Sequence, residues 1–153
     1  MALLEGEYEP SSWGWVRRQV ETYEATGGRE ANLLQNRPGW PIVVITSRGA
    51  RSGKLRKNPV MRIEKEGVYA AVASKGGEPT HPLWYHNFLA HPVVQLQDGP
   101  EPRLYRARLA GGEERAEWWE RAVAQYRPYA SYQERTEREI PVFLLEPVED
   151  DAG

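Results

Sequence analysis

With 153 residues the chain is long enough for one domain with one core, burying about 70% of its unfolded surface. A formal net charge of −2 argues against a general nucleic-acid or anionic-membrane binder, which carries a basic excess. The absence of cysteine excludes disulfides, thiolate chemistry and iron–sulfur ligation, and it is compatible with a reducing cytoplasm. No stretch approaches the roughly 20 apolar residues needed to span a bilayer, and the first residues lack the basic-then-apolar layout of a signal peptide. A soluble or at most peripheral protein is expected.

Pro10, Ser11 and Ser12 can cap a helix that starts near Trp13 and ends at Gly27-Gly28. Trp13, Val16, Val20 and Tyr23 fall on one face of it, whereas Trp15 falls nearly opposite. Two readings of Trp15 stay open: packing within the subunit, or contact with a membrane interface or a second subunit, where amphipathic tryptophan is favoured. Residues 41–46, PIVVIT, form a near-continuous apolar strand, buried on both faces or held in a closed barrel. The loop 47–57 then places Arg48, Arg51, Lys54, Arg56 and Lys57 within eleven residues. Bound to nothing, these cations repel one another. They are read either as a solvated basic hairpin or as a clamp for a phosphate and carboxylates, since arginine forks and glycine-exposed amides bind such groups. The GxxxxGK[ST] spacing of a P-loop is missing.

Residues 58–64 alternate as a strand, Glu66-Gly67 turns the chain, and 68–74 return as its partner. This second strand runs directly into Ser74-Lys75-Gly76-Gly77. Consecutive glycines admit positive φ and close approach of a ligand, successive amides in such a turn can form an anion-binding nest, and Lys75 adds a positive charge. Pro82 suits the first turn of a short helix carrying the pairs Trp84/Phe88 and Tyr85/Leu89 before His91-Pro92 stops it. Strands at 93–97 and 103–109 flank an Asp98-Gly99-Pro100 turn. A helix over 113–125 has Ala116, Trp119, Val123 and Tyr126 on one stripe, and 141–146 supply the last strand. About six strands and three helices are expected, mostly antiparallel, as a small barrel carrying helices. Tyr126, Tyr129 and Tyr132 recur every third residue before the charged run 134–139, a density that favours a lip at a site over a core cluster.

Catalytic chemistry is thin. No Ser-His-Asp arrangement is visible, and His81, His86 and His91, spaced by five, do not make the i,i+4 pair of a helical zinc site, so no metal is expected. Cations, a glycine turn and an aromatic wall suit a cofactor that brings its own reactive atom.

Three segments, GARSGKLRKNP at 49–59, SKGG followed by HPLWYHN at 74–87, and YRPYASYQERTEREIP at 126–141, together resemble the deazaflavin-dependent nitroreductase family, reductases that use coenzyme F420. The resemblance spans roughly residues 37–147. It implies a mainly β, α+β fold, the split β-barrel of flavin reductases and pyridoxamine-phosphate oxidases. It also implies an N-terminal helical segment at 1–36 leading into a split-barrel domain at 37–153, one domain overall. By the same resemblance Arg51, Ser52, Gly53 and Arg56 hold the phosphate and glutamate tail of F420, with Lys54, Asn58 and Met61 beside them. Ala50 stands where many members carry a base, which shifts the grip toward Lys54 and Lys57. Ala73, Ser74, Lys75, Gly76, Gly77, Pro82 and Trp84 meet the deazaflavin ring. Ser74, Tyr126, Tyr129 and Tyr132 inherit the candidate catalytic role of polarising an acceptor or delivering a proton. The implied function is hydride transfer from reduced F420 to an electron-poor small-molecule acceptor, a quinone or nitro-heterocycle, without nucleic acid. A non-catalytic carrier of F420 or a lipid and an FMN- or haem-binding relative are the alternatives. A cytoplasmic location, peripheral contact of the N-terminal helix with the inner face of the cell membrane, and a homodimer are the settings the resemblance leaves open.

Overall fold

The computed structural model describes residues 3–148. Its centre is one antiparallel seven-stranded sheet in the order β2-β1-β5-β6-β7-β4-β3. The strands are β1 (Ile42–Arg48), β2 (Leu55–Met61), β3 (Glu64–Lys65), β4 (Val68–Val72), β5 (Val93–Gln97), β6 (Pro102–Leu109) and β7 (Val142–Pro147). The helices are α1 (Gly14–Thr26), α2 (Leu83–Ala90), α3 (Gly112–Gln125) and α4 (Pro128–Glu134). The architecture is the expected α+β split barrel, with one strand and one helix more than the sequence pattern suggests. The strand expected over 58–64 is divided: β2 begins at Leu55, inside the basic segment, and Glu64–Lys65 form a separate short strand. Polar Arg56 and Lys57 hid that start, because they sit on the last strand of the sheet, whose outer side pairs only with the short segment 7–9 among the described residues.

The apolar run of β1 is explained by burial on both faces. Ile42 and Val44 join Met61, Ile63, Ala70, Val72, Val142 and Leu144 in a core covered by Val20 and Tyr23 of α1, Trp118 and Ala122 of α3, and Tyr129 of α4. Val43 and Ile45 point the other way, into a second core with Tyr69, Ala71, Val94, Leu96, Tyr105, Ala107, Phe143 and Leu145 beneath Phe88 of α2. The period-two alternation of β1, β4 and β7 thus feeds two cores rather than one core and solvent.

Two helical stripes are corrected by this packing. Trp13, expected on the buried face, precedes the first turn of α1 and is 67% exposed. In α3 the buried positions are Trp118 and Ala122, one residue from the expected Trp119 and Val123, which pack at the margin of the same core. The turns behave as their residues demand. Gly27 ends α1 with φ 61° while Gly28 N donates to Tyr23 O at 2.9 Å. Glu66 and Gly67, at φ 52° and 84°, make the left-handed pair of a tight hairpin between β3 and β4.

Topology positions the site. The pairs β1 to β5, β5 to β6, β6 to β7 and β7 to β4 each reverse direction, so β1 and β4 run the same way. Their outgoing segments, the basic hairpin 49–54 and the turn 74–77, therefore leave the same end of the curled sheet.

Candidate functional site

The turn after β4 holds three consecutive left-handed residues. Ser74 is right-handed at φ −77° and ψ −38°; Lys75, Gly76 and Gly77 follow at φ 45°, 64° and 81°. A right-handed residue followed by left-handed ones makes a nest, in which three successive N–H groups converge. Gly77 N bonds Ser74 O at 2.9 Å and Glu78 N bonds Lys75 O at 3.1 Å, while the N–H groups of Ser74, Lys75 and Gly76 meet no acceptor among the described residues. Lys75 pays a steric penalty in this region that a glycine would avoid, and such outliers persist where surrounding structure over-determines them. Here that structure is α4: a Cβ on Gly77 would lie 2.6 Å from the carbonyl oxygen of Tyr132. No atom comes within 4 Å of the same position on Gly76, so the turn is open on that side.

The helix α2 joins this turn to the basic hairpin. Pro82 forms its N-cap, and Trp84 packs on Phe88 at 4.8 Å and Phe143 at 6.0 Å between ring centroids. Buried Asn87 accepts the Ala50 N–H at 2.9 Å, fastening the hairpin to the helix that starts beside the turn. His81 stacks on Tyr85 at 4.0 Å, and its Nδ1 lies 2.9 Å from Nη1 of Arg138. Burial, then the nearby Arg138 and His86 charges, hold the His81 imidazolium below the usual histidine range, so the neutral ring is favoured.

The cation cluster differs from the sequence expectation. Residues 7–9 lie along the free edge of β2: Leu55 N donates to Glu7 O at 2.7 Å and Glu9 N to Leu55 O at 2.9 Å. Their carboxylates neutralise the basic strand. Lys54 lies 3.6 Å from Glu7 and 3.8 Å from Glu9, Arg56 pairs with Glu9, and Lys57 pairs with Glu24 of α1 at 2.6 Å. Arg48 is spent on the carbonyls of Gly53 and Glu5. Arg51 is exposed and forms no ion pair among the described residues, beside exposed Ser52 and half-buried Gly53. The mutual repulsion inferred for the loop is thus relieved from within the chain. Asn58 faces Ile45 in the β1–β2 register, and Met61 is buried in the core.

The tyrosines also separate. Tyr126 and Tyr129 are buried in the core, which corrects the reading of all three as a lip; Tyr132 is half-buried. The Tyr126 and Tyr132 hydroxyls are 3.0 Å apart, and Tyr126 also meets Trp40 edge-on at 4.8 Å. Burial, reinforced by the Tyr132 hydrogen bond, raises the Tyr126 phenol well above its ordinary range, and burial does the same at Tyr129. Ser74, Ala73 and Gly77 are buried at the turn, whereas Lys75 and Gly76 face outward.

Four contributors escaped sequence reasoning: Glu7 and Glu9 in a short mixed segment, Asn87 on a helix read through its aromatics, and Arg138 within a charged run read as solvated. None carries a periodic signal; their partners lie 37 to 65 positions away in the chain. A concavity of about 310 Å³, lined by Tyr69, Leu96, Asp98, Pro100, Glu101, Arg103 and Tyr105, lies away from these residues.

A curled antiparallel sheet from one end of which a basic hairpin and a nested turn leave defines a split-barrel protein with a candidate cofactor site. The family model described as F420H(2)-dependent quinone reductase matches residues 15–147. An F420H(2)-dependent quinone reductase of Mycobacterium tuberculosis is 32% identical over 143 residues, 86% of this chain and 95% of the relative. The solved structure of an F420-H2 dependent reductase, FDR-A, superposes with TM-score 0.66 at 54% identity, covering 69% of this chain and 94% of that one. A domain-swapped dimer superposes with TM-score 0.68 at 48% identity, covering 89% of this chain and 100% of that one. The chain belongs to the F420H(2)-dependent quinone reductase family, an oxidoreductase family whose cofactor is reduced coenzyme F420. The FMN, haem and carrier alternatives fall away with that membership.

Proposed function

We propose that the protein reduces quinones by taking a hydride from reduced F420 bound between the 74–77 turn and the basic hairpin. The observation that carries this is the nest: three amides without a partner among the described residues and an open face at Gly76. The residues fit the cofactor. Converging N–H groups suit the electron-rich carbonyl edge of a deazaflavin ring, and Arg51 with Ser52 and Gly53 suits a phosphate. When bound, the cofactor supplies the hydride; the chain orients it, excludes water and delivers the proton.

The acceptor side falls to Tyr132, whose backbone abuts Gly77 and whose hydroxyl is paired with Tyr126. Its phenol O–H can donate to a developing quinone oxygen, so that hydride and proton together make the hydroquinone. Tyr129, wholly enclosed, shapes that pair without touching an acceptor. Loss of reduced-F420 absorbance with menadione and with a nitroaromatic tests the reading. We expect turnover of menadione, and Tyr132→Phe or Ser74→Ala to lower it by about 10- to 100-fold while F420 affinity is retained. A protein that binds F420 yet reduces neither acceptor contradicts the assignment, and loss of F420 affinity in Tyr132→Phe removes Tyr132 from the acceptor side.

Family resemblance to a domain-swapped dimer, together with exposed Trp13 and Trp15 at the start of α1, supports a homodimer as a second proposal. Among the described residues no helix is long and apolar enough to cross a membrane.

A further inference from the structure

Arg138 stands in the segment between α4 and β7, outside every position assigned above to cofactor or acceptor. Its side chain reaches across to the turn after β4. Nη1 donates to Ala73 O at 3.1 Å, Nη2 to Ser74 O at 2.8 Å and Nε to Glu78 O at 2.9 Å, while Nη1 also meets His81 Nδ1 at 2.9 Å. A guanidinium has no acceptor, so His81 Nδ1 must accept, which makes His81 the neutral Nε2–H tautomer. Burial holds the Arg138 guanidinium below its usual range, yet it remains a cation with four of its five N–H donors engaged.

The acceptors lie on both feet of the turn. Ala73 and Ser74 precede the left-handed residues; Glu78 and His81 follow them. The β4–β7 ladder ends at Val72 opposite Val142, with one further bond from Ala73 N to Pro141 O. Beyond it, the buried carbonyl of Ala73 has no strand to pair with and that of Ser74 takes only the Gly77 N–H within the turn, and an unpaired buried carbonyl is costly. Arg138 meets both. With the carbonyls drawn to the guanidinium, the amides of Ser74, Lys75 and Gly76 are the groups left free for a ligand. A lysine could not replace this fork, because one ammonium cannot span four acceptors placed on two sides of a turn.

We propose that Arg138 is a positioning residue for the cofactor ring: by gripping the carbonyls on both feet of the 74–77 turn, with His81 as the fourth acceptor, it presets the amide nest that receives the ring. This rests on the reading of that turn as the ring's floor. The experiment therefore follows the floor and the clamp separately. The ¹⁵N-amide resonances of Ser74, Lys75 and Gly76 are recorded while oxidised F420 is added to wild type; shifts at all three are expected, and their absence means that the floor reading fails, whatever Arg138 does.

Arg138→Lys and Arg138→Met are then titrated with F420 and followed by thermal melting and steady-state kinetics. Both are expected to bind F420 about 10-fold or more weakly. The KM for reduced F420 should rise while the KM for the quinone is kept. A purely structural loss would instead lower the folded fraction, and with it kcat alone. Wild-type F420 affinity in both variants, with the three amides still shifting in wild type, overturns the proposal; so does full affinity in Arg138→Lys alone, because charge without the fork would then suffice. If both variants unfold, His81→Leu, which removes one acceptor and keeps the guanidinium, decides. Its affinity is expected to fall by about 3-fold or more, and an unchanged value overturns the proposal.

Discussion

Gly76 and Gly77 share a left-handed backbone, φ 64° and 81°, but not the same surroundings. A methyl group at Gly76 meets no atom within 4 Å, whereas at Gly77 it would sit 2.6 Å from the Tyr132 carbonyl oxygen and 2.9 Å from its Cα. At Gly76 alanine carries only the left-handed penalty, about 1–2 kcal/mol. At Gly77 the same penalty is joined by a collision with backbone that cannot swing aside as a side chain would. Gly77→Ala should therefore destabilise clearly more than Gly76→Ala in chemical denaturation, and it should push α4 off the turn and lower quinone turnover as well as stability. Equal losses for the two variants would show that α4 does not press on the turn as described.

The segment 4–9 and strand β2 act on one another as elements. Backbone pairing along β2 brings Glu7 and Glu9, two residues apart and so on one side of an extended chain, to Lys54 and Arg56. The anionic tail of F420 would draw on the same cations. Replacing one carboxylate weakens the competition: Glu9→Gln should bind F420 about 2- to 5-fold more tightly, the scale of a half-exposed ion pair, with the gain shrinking at high salt. Arg51→Ala, which removes a cation with no internal partner among the described residues, should weaken binding by about 10-fold or more. Fluorescence titration at two ionic strengths measures both. If Glu9→Gln has no effect and Arg51→Ala has none either, the tail does not lie on this hairpin.

For the whole molecule, the surface left apolar bears on assembly. Trp13 and Trp15 are 67% and 50% exposed, and Leu83 and Leu89 of α2 are exposed too. Light scattering on the eluted protein is expected to give about twice the 17.5 kDa of the chain. The double change Trp13→Ser and Trp15→Ser should shift it toward the monomer. A monomeric wild type whose tryptophan emission moves to the blue on adding anionic vesicles would contradict the dimer and support lipid contact through α1.

Local chemistry made much of this protein legible from residues alone. The two-sided burial of β1 follows from six consecutive apolar or small residues, the end of α1 from Gly27-Gly28, the β3–β4 hairpin from Glu66-Gly67, and the left-handed turn from Gly76-Gly77, because each depends on neighbours within a few positions. Residue types likewise pointed toward a cofactor that brings its own reactive atom. Pairings across the chain were illegible. Whether Arg56 faces a ligand or Glu9, whether Tyr129 is a lip or a core ring, and whether Arg138 is solvated or grips the turn depend on which surfaces the curled sheet brings together. A charge or an aromatic ring has the same local pattern in either setting, and its energy is set by the desolvation and partners that folding supplies.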